Sequence, residues 1–172
     1  MNNIIEALKT RRSCRHFSAE MIPDDILQQI AEAGTYAASG KGCQPSRIIV
    51  IKDKATRDKL SAMNAKIMGV KSDPFYGAPV CMVVIAEKGR PTYLYDGSLV
   101  IGNLMLAAHA LGLGSCWIHR AKEEFESEEG RVLLKAWGIE GDYEGIGHCV
   151  VGYPATEAAK PAPRKPDYVQ FV

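Results

Sequence analysis

Residues 80–118, VCMVVIAEKGRPTYLYDGSLVIGNLMLAAHALGLGSCWI, hold a strand, a helix and a second strand in immediate succession. The run at 80–86 is unbroken and apolar, β-branched in its middle, and of strand length. A strand with no polar alternation predicts burial on both faces. Residues 96–111 carry Leu99, Leu104, Leu106, Ala107, Ala108 and Leu111, which makes this the most apolar helix of the chain. Gly112 ends it, because glycine alone enters the left-handed terminal conformation without strain. A helix apolar nearly all round must be central or sit at an interface. Residues 114–118 then predict another strand.

Outward from this unit the pattern is simpler. Upstream, Ile4, Ile5 and Leu8 share one face of a short first helix. Pro23-Asp24-Asp25 starts a second, continued by Ile26, Leu27, Ile30 and Ala33 at helical spacing. Ser39-Gly40-Lys41-Gly42 is loop chemistry, and residues 48–51 predict a short strand. A helix is expected from about 53 to 68, with Leu60, Met63 and Ile67 inward. Downstream, Ser127 caps a helix to about Trp137, and residues 146–152 form the last strand. Four prolines from Pro154 onward require an extended tail. The expectation is an α+β chain of four core strands and about five helices. It forms one domain over 1–153, followed by an arm at 154–172.

The bulk numbers agree with a single globular domain: 172 residues, 47% apolar, 24% charged. Net charge is +1, so nothing suggests a nucleic-acid or membrane partner, and any anion must be held by a local cluster. No apolar run has the length of a membrane span. The N-terminus does not read as a signal peptide. Five widely spaced cysteines, with no CxxC and no histidine at ligand spacing, fit neither zinc nor a disulfide framework. They imply reduced thiols in a cytoplasm.

Several constellations fail. Gly34, Gly40 and Lys41 are misspaced for a phosphate loop, and Gly42 stands where Ser or Thr should ligate magnesium. Gly112-Leu113-Gly114 lacks the third glycine of a dinucleotide fingerprint and follows a helix, not a strand. No local signature pairs a cysteine with a histidine. The acidic run at 122–129 reads as a solvated loop and helix start.

Others hold. Arg11-Arg12-Ser13-Cys14-Arg15 places three guanidiniums and a hydroxyl within five residues. Arginine grips phosphate oxygens bidentately, and each charge-assisted bond contributes about 1.5–3 kcal/mol. Cations at a helix C-terminus would explain one or two arginines, but not Ser13 and the tight clustering. Residues 37–45, AASGKGCQP, form a polar loop ending in Gln44-Pro45; composition alone also fits a plain helix–strand connection. Residues 111–118 would let backbone approach a planar ring, or would simply make a tight turn. Arg164-Lys165, between prolines, is pre-extended and could return to a phosphate, although alone such a pair more often marks a solvated tail.

Taken in order, the RRSCRHF stretch, the loop at 37–45, the FYGAP stretch at 75–79, the Asp96 helix ending in GLGSCWI, and the late Pro163-Arg164-Lys165 resemble the nitroreductase family. The resemblance covers nearly the whole chain. It implies a central, mostly antiparallel sheet flanked by helices, in an intertwined homodimer whose C-terminal arm at 154–172 packs on the partner subunit, with FMN at the interface. It implies that Arg11, Arg12, Ser13 and Arg15 hold the FMN phosphate and ribityl, with Arg164 and Lys165 assisting. Ser39, Gly40 and Gln44 would come from the other subunit to the ring's polar edge. Backbone of Trp117, Ile118 and His119 would face the ring near N5, and Asn64 would touch the ring or ribityl. The implied activity is NAD(P)H-driven reduction of a small acceptor (nitroaromatic, quinone or enone) by a ping-pong scheme. The flavin carries the chemistry and no acid or base side chain is required.

Three positions depart from the family pattern: Ala38 replaces a proline, Gly42 an asparagine, and Ser46 a tryptophan. These bear on the acceptor more than on flavin binding. Alternatives are a non-catalytic flavin-binding or redox-sensing module, a relative that dehalogenates or fragments flavin, or a chain that binds no cofactor.

Overall fold

The computed structural model describes residues 3–172. Four strands form one sheet in the order β1-β2-β4-β3: β1 Ser46–Ile51, β2 Val80–Glu87, β3 Gly114–Ile118 and β4 Tyr143–Gly152. Every neighbouring pair is antiparallel. Strand β2 is central, and its side chains alternate between two cores. Val80, Met82 and Val84 face helices α2 (Asp24–Thr35) and α4 (Tyr93–Ala110), whereas Cys81, Val83 and Ile85 face Leu60 and Phe75 on the other side. This double burial is why the sequence shows no polar alternation there. Burying each such side chain stabilises the fold by roughly 1.5–3 kcal/mol.

Helix α4 lies along the first face, burying Val100, Ile101 and Leu104. Leu94 and Leu99, on its opposite side, remain exposed. Helix α1 (Asn3–Thr10) packs against α4 with none of its residues buried. On the second face lie α3 (Lys54–Met68), α5 (Ala121–Glu126) and α6 (Glu128–Ala136). There are thus six α-helices among the described residues. The additional one, α5, occupies part of the acidic run expected to be solvated. Glu124 within it is fully buried. Glycine explains the close docking. A β-carbon on Gly145 of β4 would lie 2.2 Å from the Ala121 carbonyl oxygen, and one on Gly130 of α6 would lie 2.0 Å from that of Glu124.

Helix α3 corrects one sequence expectation. Ile67 is 40% exposed rather than inward. The buried stripe of α3 runs through Arg57, Leu60, Ser61, Met63 and Asn64, so polar residues occupy the inward face and turn Ile67 out. Arg57 reaches across to the loop before β2, donating to the Ala78 carbonyl at 3.0 Å and to Asp73 at 2.6 Å. Asp73 also accepts from the Ser61 hydroxyl and from the N–H groups of Phe75 and Gly77. These bonds clamp the FYGAP stretch and hold Tyr76 at φ 56°, a costly backbone for a residue with a β-carbon.

Burial pushes the Asp73 carboxyl up, but the hydrogen bonds from Ser61, Arg57, Gly77 and Phe75 together hold it below the usual carboxylate range. A depressed pKa contributes stability above the unfolded value, near about 4, which is lost as pH falls through the folded value. Asp73→Asn is therefore expected to melt lower than the parent at pH 7, with the gap closing below about pH 4. Melting curves across that range test this. An unchanging gap would mean that the carboxylate charge contributes nothing.

Candidate functional site

Beyond α1 the chain turns onto the outer edge of β3. Ser13 bridges Ser115 in parallel fashion, and the Cys14 N–H donates to the Ser115 carbonyl at 2.8 Å. Phe17 then bridges Pro154, just past the end of β4. Gly114 permits the approach, since a β-carbon there would lie 2.7 Å from that of Cys14. The arginine-rich stretch is thus pinned to the sheet by its backbone, leaving its side chains available. Arg12 donates to the carbonyls of Lys9 and Arg11 at 2.8 and 2.7 Å. Arg15 lies over the Tyr76 ring at 5.9 Å. Arg11 Nη1 is buried and has no hydrogen-bond partner.

Arg12, Ser13 and Arg15 line a cavity of about 480 Å³ together with His16, His109 and Gly112. The start of the tail, from Pro154 to Ala159, forms another wall. His109 was not singled out in the sequence, although its place in the last turn of α4 beside Gly112 could have flagged it. It lies 2.9 Å from the Thr10 hydroxyl. Arg164 and Lys165 do not line this cavity. Arg164 donates to the Ala162 carbonyl instead.

The two ends of the 39–45 loop, Ser39 and Gln44-Pro45, line a second cavity, about 570 Å³, with Gln28, Ser46, Asp96 and Val100. Asp96 organises it from α4: its carboxylate accepts from the Gly40 N–H at 3.0 Å and from the Thr92 hydroxyl at 3.0 Å. The Ser39 hydroxyl accepts from the Gln44 N–H at 3.0 Å, while Lys41 and Gln44 adopt φ of 56° and 48°. The Ser46 hydroxyl is buried without a partner. Within one chain, then, Arg12, Ser13 and Arg15 line one cavity and Ser39 and Gln44 the other, while Arg11 and Gly40 line neither.

At the end of β3, Ile118 is buried opposite His148, and Trp117 lies over Gly147. His119 is exposed, but its carbonyl accepts from Asn64 at 2.7 Å. Asn64 is itself fully buried, with its amide engaged by His119, Arg120 and Glu124. Its geometry is that of a support beneath the loop. Burial pushes the Cys116 thiol up, and the Arg15 guanidinium only partly offsets this, so Cys116 is a protonated spectator.

A phosphorylated planar cofactor fits these residues. The cavity lined by Arg12, Ser13 and Arg15 has the volume typical of small-molecule sites, and the adjoining Arg11, which does not line it, keeps a buried nitrogen without a partner. Fold and site together define an α+β protein whose sheet edge carries a cluster of guanidiniums beside a cavity. The profile of the Nitroreductase family matches residues 8–72 and 63–153. The chain belongs to that family.

Two solved structures superpose over the whole chain. A nitroreductase with bound FMN from Bacteroides fragilis has a TM-score of 0.91 at 26% identity, with 100% of both chains covered. One from Desulfitobacterium hafniense, also with bound FMN, has a TM-score of 0.89 at 28% identity, covering 100% of this chain and 99% of that one. An FMN reductase using NAD(P)H from Bacillus subtilis is 26% identical over 96% of this chain and 71% of its own length. The chain spans 60% of the length of a further relative, from Methanothermobacter thermautotrophicus, at 30% identity.

Proposed function

We propose that the chain is an FMN-dependent oxidoreductase that moves reducing equivalents from NAD(P)H to a small oxidised acceptor such as a nitroaromatic, a quinone or an enone, as a homodimer with FMN at the interface. The observation that carries this reading is the cavity lined by Arg12, Ser13 and Arg15 at the sheet edge, next to an Arg11 whose buried nitrogen has no partner. The FMN bound in the similar solved proteins supports it. When bound, FMN would supply the redox chemistry, accepting hydride at N5 in one half-reaction and reducing the acceptor in the other.

The protein's part is to bind and orient. Arg11, Arg12, Ser13 and Arg15 hold the phosphate through charge-assisted hydrogen bonds. Arg164 and Lys165 reach it from the tail of the second copy, whose Ser39, Gly40 and Gln44 meet the polar edge of the ring. Backbone of Trp117, Ile118 and His119 supplies fixed dipoles at the ring face, which cost no reorganisation during reaction. Asn64 positions that backbone rather than touching the cofactor. Exposed Ile5, Leu8, Leu99 and Phe171 support a second copy, since exposed apolar surface of this kind marks an interface. No described helix is long and apolar enough to cross a membrane. Five unpaired cysteines support a reducing cytoplasm.

The purified protein is expected to be yellow, to bleach with NAD(P)H and to recover its colour with a quinone. A colourless protein that ignores added FMN would sink the reading. A bound flavin that NAD(P)H cannot bleach would favour a non-catalytic flavin-binding module. FMN at a hundred times its dissociation constant should stabilise the fold by about 2.7 kcal/mol, raising melting by roughly 5–10 °C.

A further inference from the structure

A buried polar cluster lies directly beneath the end of β3, outside both cavities. Glu124 on α5 and His148 on β4 are fully buried and face one another, Oε1 to Nε2, at 3.1 Å. Asn64 on α3 donates to the same Glu124 oxygen and, at 2.7 Å, to the His119 carbonyl. Its own oxygen accepts from Arg120 Nε at 3.0 Å. Two atoms of the cluster, Glu124 Oε2 and His148 Nδ1, have no partner. Phe75 and Phe125 pack around the His148 ring at 5.1 and 6.2 Å.

Such a cluster is a poor way to stabilise a core. A well-packed apolar trio of similar volume is often as stable or more so, and orphaned buried atoms carry a penalty. What the cluster achieves is local. Arg120 sits at φ 79° and ψ 9°, a backbone that a residue with a β-carbon adopts only when its surroundings over-determine it. Asn64 grips both sides of that residue, the carbonyl before it and the side chain on it. The cluster also fixes a carboxyl group and a guanidinium under residues 117–120.

We propose that Asn64, Glu124, His148 and Arg120 position the Trp117–Arg120 backbone and set, through the opposed charges of Glu124 and Arg120, how tightly reduced FMN is held relative to oxidised FMN. This rests on the reading above that FMN lies against that backbone. Reduction adds negative charge to a flavin. A nearby carboxylate in a low-dielectric surround opposes that charge, and a guanidinium favours it.

The test measures the midpoint potential of the bound flavin in two variants of the holoenzyme, alongside oxidised-FMN affinity and melting. Glu124→Gln keeps the shape and the acceptor oxygen but removes the charge. It should favour reduced FMN by about tenfold, a rise of about 30 mV for a two-electron couple. Arg120→Gly removes the cation and relieves the strained φ, so the variant folds. It should shift the ratio several-fold the other way. Affinity for oxidised FMN should stay within about threefold in both, because the phosphate cradle is untouched. A merely structural cluster would lower melting without moving the potentials in opposite directions. Unchanged potentials, or shifts of the same sign, overturn the proposal, and Arg120→Gly alone decides it should Glu124→Gln fail to fold. A parent protein that takes up no FMN would overturn the functional reading first, and this proposal with it.

Discussion

Arg11→Ala is expected to weaken FMN binding by about ten- to a hundredfold, the equivalent of one charge-assisted hydrogen bond at about 1.5–3 kcal/mol. The reason lies in the unliganded protein. Arg11 Nη1 is already withdrawn from water and has nothing to bond. Its bond to a phosphate oxygen is therefore not offset by stripping water from the donor. Arg15, which is exposed and rests on Tyr76, should matter less, because its guanidinium must leave solvent to bind. Titrating FMN fluorescence against each variant measures both. The apo form of Arg11→Ala should melt no lower than the parent, since a costly buried group has been removed. Equal dissociation constants for Arg11→Ala and the parent would mean that the phosphate sits elsewhere.

The second large effect concerns folding. Gly145→Ala and Gly130→Ala should each cost about 3 kcal/mol or prevent folding, lowering melting by roughly 6–12 °C. In both cases the new β-carbon meets backbone, the Ala121 carbonyl at 2.2 Å or the Glu124 carbonyl at 2.0 Å, and backbone cannot swing aside as a side-chain tip can. Relief for Gly145→Ala is to lift α5 off β4, which would carry Glu124 away from His148 and Asn64, and relief for Gly130→Ala is to part α6 from α5. Thermal melts with and without FMN read this directly. Parental melting in either variant would show that α5 is not held in so close a contact.

Much of this was visible in the residues. Strand β2 and helix α4 were legible because their apolar patterns are long and undisturbed. The arginine stretch was legible because its chemistry is concentrated in five consecutive residues. The sequence pattern predicts strand β4 only from Ile146, whereas it begins at Tyr143. Glu144 and Gly145 look like a turn, yet they pair with Ala86 and Ile85 across an irregularity next to Val84. Helix α5 was hidden for a related reason. An acidic stretch looks solvated unless its buried partners are known, and Asn64 and His148 are remote in sequence. Asp96 likewise organises the 39–45 loop from 56 residues away, a link that no local pattern encodes. What was illegible depends on pairing between distant segments. What was legible depends on neighbours.

The Ser13–Ser115 bridge has a consequence beyond the cofactor. Strand β3 is a terminal strand of the sheet, and terminal strands invite edge-to-edge aggregation unless something occupies their free side. Here the cradle segment itself shields that side, with the Cys14 N–H on the Ser115 carbonyl. On the proposed reading, ligand grip and colloidal solubility therefore depend on the same few residues, and a change that loosens one would expose the other.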